Sequence, residues 1–458
     1  MEAAVVYYGE HQIEVKEKQL TEAMKIPKLF YAFAFFTCAA IYVVYIKWNL
    51  NFKTKDAPDD LKNQLDSETG RTDQTIFYGI MFDAGSTGTR VHVFQFSKKP
   101  KEIPRLIHAT FKAIKPGLSA YADDVDKCAE GINELLTVAK DDVPMELWKS
   151  TALVLKATAG LRLLPGEKAQ KLLDKVKDVF QESPFLVRDD CVSIMDGTDE
   201  GISAWITVNF LTDSLNAPEQ KCVGMLDLGG GSTQITFRPS TKVEMRHEVK
   251  SAKSVSHLNG LYYSVKMLIN YLGLGLMSAR LEILGGVERE ALREGEELTS
   301  PCLSPDFQGE WEHAKIMYKI KGQKAGKSLF ESCSDEIAKL FTQKIHKTDE
   351  VKDLDFYAFS YYYDLAVDAG LIDDEKGGTL AVSDFETTAK NVCKTMEVQQ
   401  GEHPFLCMDL TYVSLLLEEL GFPKNYIFKL ARKINNTETS WALGAILHYM
   451  DSLHMLQY

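Results

Sequence analysis

The chain reads as an α/β protein built from two related lobes that face each other. The first observation behind this is an internal repeat. Asp83-Ala84-Gly85-Ser86-Thr87-Gly88-Thr89 and Asp227-Leu228-Gly229-Gly230-Gly231-Ser232-Thr233 are imperfect copies. Each follows an apolar run and precedes a second apolar segment, Val91-His92-Val93-Phe94 in one copy and Ile235-Thr236-Phe237 in the other. Each copy predicts a strand, an aspartate at its end, a glycine-rich hairpin and a returning strand. The second observation is alternation. Residues 127–141 and 167–181 carry helical periodicity, residues 152–157 form a mostly apolar strand, and the pattern restarts near Cys222. Strands alternating with helices indicate α/β architecture.

The repeated loops have a chemistry of their own. Glycine lets backbone approach a ligand closely and adopt positive φ at little cost. Successive backbone N–H groups in such a turn form an anion-binding nest. Gly85, Ser86, Thr87, Gly88 and Thr89 in the first copy, and Gly229, Gly230, Gly231, Ser232 and Thr233 in the second, are therefore candidates to cradle phosphate. The serines and threonines add hydroxyl donors. Asp83 and Asp227, one per lobe, can hold a hydrated divalent cation between them, since Mg²⁺ keeps several waters and favours a few carboxylates with substrate phosphates. One glycine-rich hairpin alone would be an ordinary turn; two matched copies far apart in sequence point to a phosphate-handling cleft.

Composition narrows the class. The 458 residues suit about two to three domains. A formal charge of −13 argues against nucleic-acid binding. Residues 29–46 (LFYAFAFFTCAAIYVVYI) are uncharged and would span roughly 27 Å as a helix, enough for a thin bilayer. The organisation expected is a cytoplasmic tail at 1–28, a transmembrane signal anchor at 29–46 and a polar stem at 47–75, with cleavage in the stem left open. Lysines flank both ends of the apolar run, so the positive-inside rule leaves orientation nearly unset. The glycosylation sequon Asn435-Asn436-Thr437 places the large C-terminal part in the lumen, with Asn435 as acceptor. Of eight cysteines, Cys302 with Cys333 and Cys393 with Cys407 are candidates for local disulfides in an oxidising compartment. Cys128, Cys191 and Cys222 read as buried thiols, and no Cys-x-x-Cys pair suggests zinc.

Five ordered blocks resemble the conserved regions of the nucleoside triphosphate diphosphohydrolase (apyrase) family. They begin at Phe82-Asp83-Ala84-Gly85, Lys156-Ala157-Thr158-Ala159, Gly197-Thr198-Asp199-Glu200, Leu226-Asp227-Leu228-Gly229 and Ser440-Trp441-Ala442-Leu443. With Tyr357-Ala358-Phe359-Ser360-Tyr361-Tyr362-Tyr363-Asp364, they are most similar to the Golgi and secreted branch. The resemblance implies two ribonuclease-H-like lobes of the actin-like ATPase superfold around a cleft: lobe I at 76–195, lobe II at 196–437, and 438–458 returning to lobe I. It implies hydrolysis of nucleoside diphosphates (GDP, IDP and UDP over triphosphates) with Ca²⁺ or Mg²⁺, by a monomeric lumenal catalytic domain. Asp83 and Asp227 would hold the metal through water, Glu200 would be the general base, and Thr158 and Gln234 would place the water and terminal phosphate. Without the resemblance, Asp199 would remain an alternative base.

Other residues stay between two readings. Tyr361 and Tyr362 are candidates to stack on a nucleobase, or else core residues of a strand. Trp205 and Trp441 suit packing, Arg162 an internal salt bridge, and the Glu-rich run 288–297 a solvated segment. Rival functions are another phosphotransferase or ATPase on the same fold, and a nucleotide-binding protein without catalysis; the second would predict loss of Glu200 or of one aspartate.

Overall fold

The computed structural model describes residues 74–458, except 101, 216–221, 239–253, 259–260, 266, 343, 346, 348, 400–402 and 457–458. The chain divides into units Met1–Thr72 and Asp73–Tyr458, and every element below belongs to the second. The tail, the apolar run at 29–46 and the stem up to residue 73 lie outside the described residues. Among those described, no helix is long and apolar enough to cross a membrane.

The first sheet contains β1 (Thr75–Ala84), β2 (Thr89–Lys98), β3 (Arg105–Ile114), β4 (Ala152–Ala157) and β5 (Val192–Ile194) in the order β3-β2-β1-β4-β5. Helices α1 (Cys128–Asp142), α2 (Ala159–Arg162) and α3 (Lys168–Gln181) accompany it. β1 is parallel to β4 and antiparallel to β2. Ile80, Met81 and Phe82 of β1 are all fully buried, as a continuous apolar run in a strand covered on both faces requires. α3 buries Ala169, Leu172, Leu173, Val176 and Phe180, the spacing of one helix face. The Phe180 ring meets Phe82 edge-on at 5.1 Å.

After α4 (Gly197–Leu211) the arrangement recurs. The second sheet holds β6 (Gly224–Leu228), β7 (Ser232–Phe237), β10 (Met267–Leu272), β14 (Phe356–Ser360), β15 (Gly378–Ala381) and β16 (Ile427–Leu430), ordered β10-β7-β6-β14-β16-β15. β6 is antiparallel to β7 and parallel to β14. Over five strands this repeats the order and central pairing of the first sheet, so the sequence repeat is a structural one. Between these strands lie a β8 (Ser254–Leu258) and β9 (Leu261–Val265) hairpin, a small sheet of β11 (Leu298–Ser300), β12 (Gln308–His313) and β13 (Ile316–Gly322), and helices α5 (Leu276–Ile283), α6 (Leu329–Phe341), α7 (Tyr361–Asp368), α8 (Val382–Met396) and α9 (Leu406–Leu420). The hairpin β17 (Lys433–Ile434) and β18 (Thr437–Glu438) leads to α10 (Ala442–Ser452).

α4 is buried nearly all round because it lies between the two sheets. Its Ile202, Trp205 and Val208 pack in one cluster with Met81 and Val154 of the first sheet, Met225 and Phe359 of the second, and Ile446 of α10. α10 crosses α4 at Gly444, where a Cβ would stand 2.0 Å from the Ser203 carbonyl oxygen. Both disulfides expected from the sequence are formed, Cys302–Cys333 and Cys393–Cys407. Cys128 and Cys191 are buried thiols, while Cys222 is half-buried. Trp205 and Trp441 are core residues. The 288–297 run departs from the solvated reading at its start: Glu288 is bonded by His313 Nε2 at 2.9 Å and by Ser278 Oγ at 3.1 Å, because the turn tucks it against the β12–β13 hairpin.

Candidate active site

The two repeats deliver their aspartates to equivalent places. Asp83 lies opposite Arg90 in the β1–β2 register, and Asp227 lies opposite Gln234 in the β6–β7 register. Both acids are buried. Arg90 Nη1 donates to Asp83 Oδ2 at 3.1 Å, and Ser360 Oγ donates to Asp227 Oδ1 at 2.7 Å. Ser360 holds φ at +54°, a left-handed conformation that a side chain adopts only under constraint from its surroundings. Burial raises both carboxyls above the usual range; the Arg90 charge opposes that rise most directly in Asp83, and the Ser360 bond does so in Asp227. Asp83 Oδ1 is buried without a hydrogen bond among the described residues, so the site has an oxygen in need of a partner.

Glu200 stands in the first turn of α4, whose start is fixed by the Asp196 side chain accepting the Thr198 N–H at 2.7 Å. One helical step separates it from Asp199, which is exposed while Glu200 is buried. Arg162 Nη2 donates to Glu200 Oε2 at 2.7 Å and to Ser232 Oγ at 3.2 Å, and Arg162 Nη1 donates to the Met195 carbonyl at 3.1 Å. Arg162 thus makes the internal salt bridge and also ties the acid to the second glycine loop. Burial pushes the Glu200 carboxyl up to about 8; Arg162 works against this, and the Asp227 and Asp83 charges add to it. Three carboxylates therefore share one buried locality with two guanidinium groups.

The loops are closed by matching bonds. Gly85 N–H donates to the Gly88 carbonyl at 3.0 Å, and Gly229 N–H donates to the Ser232 carbonyl at 3.0 Å. In the second loop, the carbonyls of Gly229 and Gly230 accept from the first amides of α5, Leu276, Met277 and Ser278. Among the described residues, the amides of Ser86, Thr87, Gly230 and Gly231 donate to no backbone carbonyl and remain available to an anion. The loops also abut each other: a Cβ on Gly230 would stand 2.5 Å from Ser86 Oγ, and one on Gly231 would stand 2.9 Å from the Ala159 Cβ. Thr233 differs from the expectation, since its hydroxyl donates to the Asp227 carbonyl at 2.8 Å and braces the hairpin. Thr89 is likewise buried at the start of β2. Thr158 precedes α2, where its carbonyl accepts from Leu161 and Arg162. Gln234 Nε2 donates to Ser232 Oγ and to Asn270 Oδ1, each at 2.9 Å.

A cavity of about 620 Å³ opens in the second half, lined by Tyr361, Asp364, Phe405, Arg280, Asp409 and Arg432 among others. Arg280 pairs with Asp409 through two bonds, 2.5 and 3.2 Å, and its guanidinium carbon lies 4.1 Å from the Phe405 ring centroid. Burial raises both the Tyr361 hydroxyl and the Asp364 carboxyl, and in each the Arg90 charge acts against that rise. Tyr361, which lines the cavity, directly follows Ser360, the donor to Asp227, so the cavity borders the aspartate centre. Tyr362 does not line it: this side chain is fully buried in the second core, which removes it as a stacking candidate. The tyrosines open α7 instead of extending β14, and helical rotation turns Tyr361 to the cavity and Tyr362 inward. Asn435 occupies the β17–β18 turn, exposed, with Nδ2 donating to the Leu211 carbonyl at 2.9 Å.

Comparison with known proteins gives the family. Residues 70–458 match the GDA1/CD39 (nucleoside phosphatase) family. The chain belongs to the GDA1/CD39 nucleoside phosphatase family. It is 57% identical over 458 residues to human ectonucleoside triphosphate diphosphohydrolase 6, covering 98% of this chain and 94% of that protein. It is 48% identical over 381 residues to the human nucleoside diphosphate phosphatase ENTPD5, covering 83% of this chain and 89% of that protein. In fold it is similar to the crystal structure of nucleoside triphosphate hydrolases from Neospora caninum, with a TM-score of 0.60 at 14% identity, covering 86% of this chain and 96% of that one. The protein is thus an enzyme, a nucleoside phosphatase.

The sequence reading missed three parts of the enzyme's site. Ser360 carried no signal beyond its place at a strand end. Arg90 sat inside the first block without a role, although its position one residue beyond the hairpin was visible. Phe405 comes from a distant helix start, which only the fold brings beside Tyr361.

Proposed function

We propose that the enzyme hydrolyses nucleoside diphosphates, GDP, IDP and UDP in preference to triphosphates, to a monophosphate and phosphate. The observation that carries this is Glu200: a buried carboxyl with a raised proton affinity, fixed by Arg162 between two aspartate-bearing glycine loops. Glu200 accepts a proton from a water as that water attacks the terminal phosphorus in line with the departing oxygen. Phosphoryl transfer is mainly positioning and charge stabilisation. The free amides of Ser86, Thr87, Gly230 and Gly231 supply donors to the phosphate oxygens, and the Ser232 hydroxyl lies within the same loop. Thr158 and Gln234 flank the water's path. Tyr361, with Phe405, bounds the base and ribose.

The residues also fit a divalent cation, Ca²⁺ or Mg²⁺. Asp83 Oδ1 is an orphaned buried acceptor, and Asp83 and Asp227 stand one per repeat beside the glycine loops. Among the described residues no group of three or more His, Cys, Asp or Glu is set to hold a metal directly; Asp83 and Asp227 would hold the ion through water. Such an ion would neutralise charge on the phosphates.

The organisation proposed around this chemistry is two ribonuclease-H-like lobes at 76–195 and 196–437, with 438–458 returning to the first. The catalytic domain is proposed to be monomeric, lumenal in the Golgi and tethered through residues 29–46, or released by stem cleavage. Alkaline extraction of membranes and a glycosidase-induced mobility shift lost in Asn435→Gln test the tether and the sequon. The central experiment is phosphate release from a panel of nucleoside di- and triphosphates with Mg²⁺, Ca²⁺ or chelator, beside Glu200→Gln. Diphosphate turnover that needs metal and falls about 10²–10⁴-fold in Glu200→Gln is expected; turnover indifferent to that substitution would remove the mechanism.

A further inference from the structure

The cavity beside the reaction centre contains a carboxylate, Asp364, that the chemistry does not use and that accepts no close hydrogen bond. Tyr361 and Asp364 are three residues apart on α7 and so lie on the same helix face. Both line the cavity. Asp364 accepts no hydrogen bond among the described residues. Its nearest cation is Arg432, with Nη2 at 3.5 Å from Oδ1, longer than a well-formed bond. The other buried acid of the cavity, Asp409, is different: both of its oxygens are taken by Arg280. Asp364, ion-paired with Arg432 but not closely hydrogen-bonded, therefore keeps acceptor capacity, half-buried, on the same face as the ring proposed to bound the base.

We propose that Asp364 selects the nucleobase by accepting an N–H from its pyrimidine edge, favouring guanine, hypoxanthine and uracil over adenine and cytosine. An ionised carboxylate offers acceptors only. Guanine presents adjacent N1–H and N2–H₂ donors, which match two carboxylate oxygens at once. Hypoxanthine presents N1–H and uracil N3–H. Adenine N1 and cytosine N3 carry lone pairs at the corresponding position, so a facing carboxylate oxygen repels them. The ranking expected is GDP first, IDP and UDP next, ADP and CDP last. This inference rests on the placement of the base in this cavity.

The test is kcat/KM for GDP, IDP, UDP, ADP and CDP with Asp364→Asn in the intact protein, saturated with divalent cation. Asparagine exchanges one acceptor for a donor. It loses the pair with guanine and gains the donor–acceptor pattern that suits adenine. The GDP-over-ADP ratio is expected to fall by about 5- to 150-fold, the range set by one bidentate base contact, partly through a rise in ADP turnover. A purely structural role for Asp364 would lower all five substrates together and leave the ratio unchanged, which overturns the proposal. Phe405→Ala separates the two levels. If it raises KM for every base while Asp364→Asn leaves the ratio intact, the cavity holds the base and only the selection fails. If it leaves KM unchanged throughout, the placement of the base fails first. Asp364→Ala, which removes acceptors without adding a donor, is expected to lower GDP turnover without the gain for ADP.

Discussion

Arg162→Gln tests the arrangement at its most specific point. In the enzyme, the guanidinium is buried with the Glu200 carboxylate, bonded at 2.7 Å. It stabilises the ionised base against a burial that drives Glu200 up to about 8. Removing a hydrogen bond to a charged group costs about 1.5–3 kcal/mol. At about 1.36 kcal/mol per pH unit, the acid limb of the kcat/KM profile should move up by about one to two units. The direction follows from the role: a base must be ionised to act, so a partner that favours ionisation holds the limb low, and its loss raises it. The profile is measured from mildly acidic to alkaline pH at saturating divalent cation, so that the ion's own charge acts equally on both proteins. Arg162→Lys keeps a charge but not the three-point fork to Glu200, Met195 and Ser232. It should shift the limb less while still lowering the plateau. Breaking one side of a buried pair costs about 3–5 kcal/mol of stability, so thermal melts accompany the kinetics, and the lysine variant carries the test if the glutamine variant does not fold. An acid limb that stays in place, or moves down, in a folded Arg162 variant would refute Glu200 as the titrating base held by this partner.

Gly230→Ala should lower kcat with the fold retained, because its Cβ would meet Ser86 Oγ at 2.5 Å and push the two loops apart; an unchanged kcat would mean that the loops need not meet. Metal-free protein should lose stability as pH rises. Glu200 has a folded-state value of about 8 against an ordinary 4.5. Its stabilising contribution is complete below the lower value and lost through the upper one, with Asp83 and Asp227 shifted in the same sense. Melting curves across that window should slope downward, less so in Glu200→Gln, and added Ca²⁺ or Mg²⁺ should raise the melting temperature more at the alkaline end. A flat profile would contradict the buried-carboxylate account.

What could be read in advance was local. Strand runs, turn glycines and the aspartates between them are short-range signals, and both hairpins stand where the repeat placed them. Helices at 127–141 and 167–181 were legible because one face of each is apolar. Glu200 was different. Asp199 and Glu200 are adjacent, and only the rotation of α4 over the core buries one and exposes the other. Arg162 finds its carboxylate 38 residues on, beyond the reach of any periodicity. The tyrosine run misled because aromatic residues suit strands. β14 ends at Ser360, where a left-handed φ turns the chain into α7, so three consecutive rings point in different directions. Asp364 and Phe405 come together only through tertiary packing.

The departures from symmetry bear on why, in the mechanism proposed, one base serves a duplicated fold. The two halves match in strand order, in the aspartates and in the bond that closes each loop. They differ in what stands across from each aspartate: a cation, Arg90, in the first half and a neutral amide, Gln234, in the second. They also differ at the end of the fourth strand, where Ala157 has no polar side chain and Ser360 donates to Asp227. Asp83 is therefore ion-paired directly, whereas Asp227 is held by a neutral donor and feels the Arg90 charge less directly. Glu200 comes from neither repeat but from α4, the helix that joins them. Its two like-charged neighbours raise its proton affinity, with Asp227 contributing more than Asp83. An acid placed on the connecting helix therefore feels both halves at once. Arg162 joins the same acid to the second repeat, reaching from α2 to Ser232 of the opposite loop.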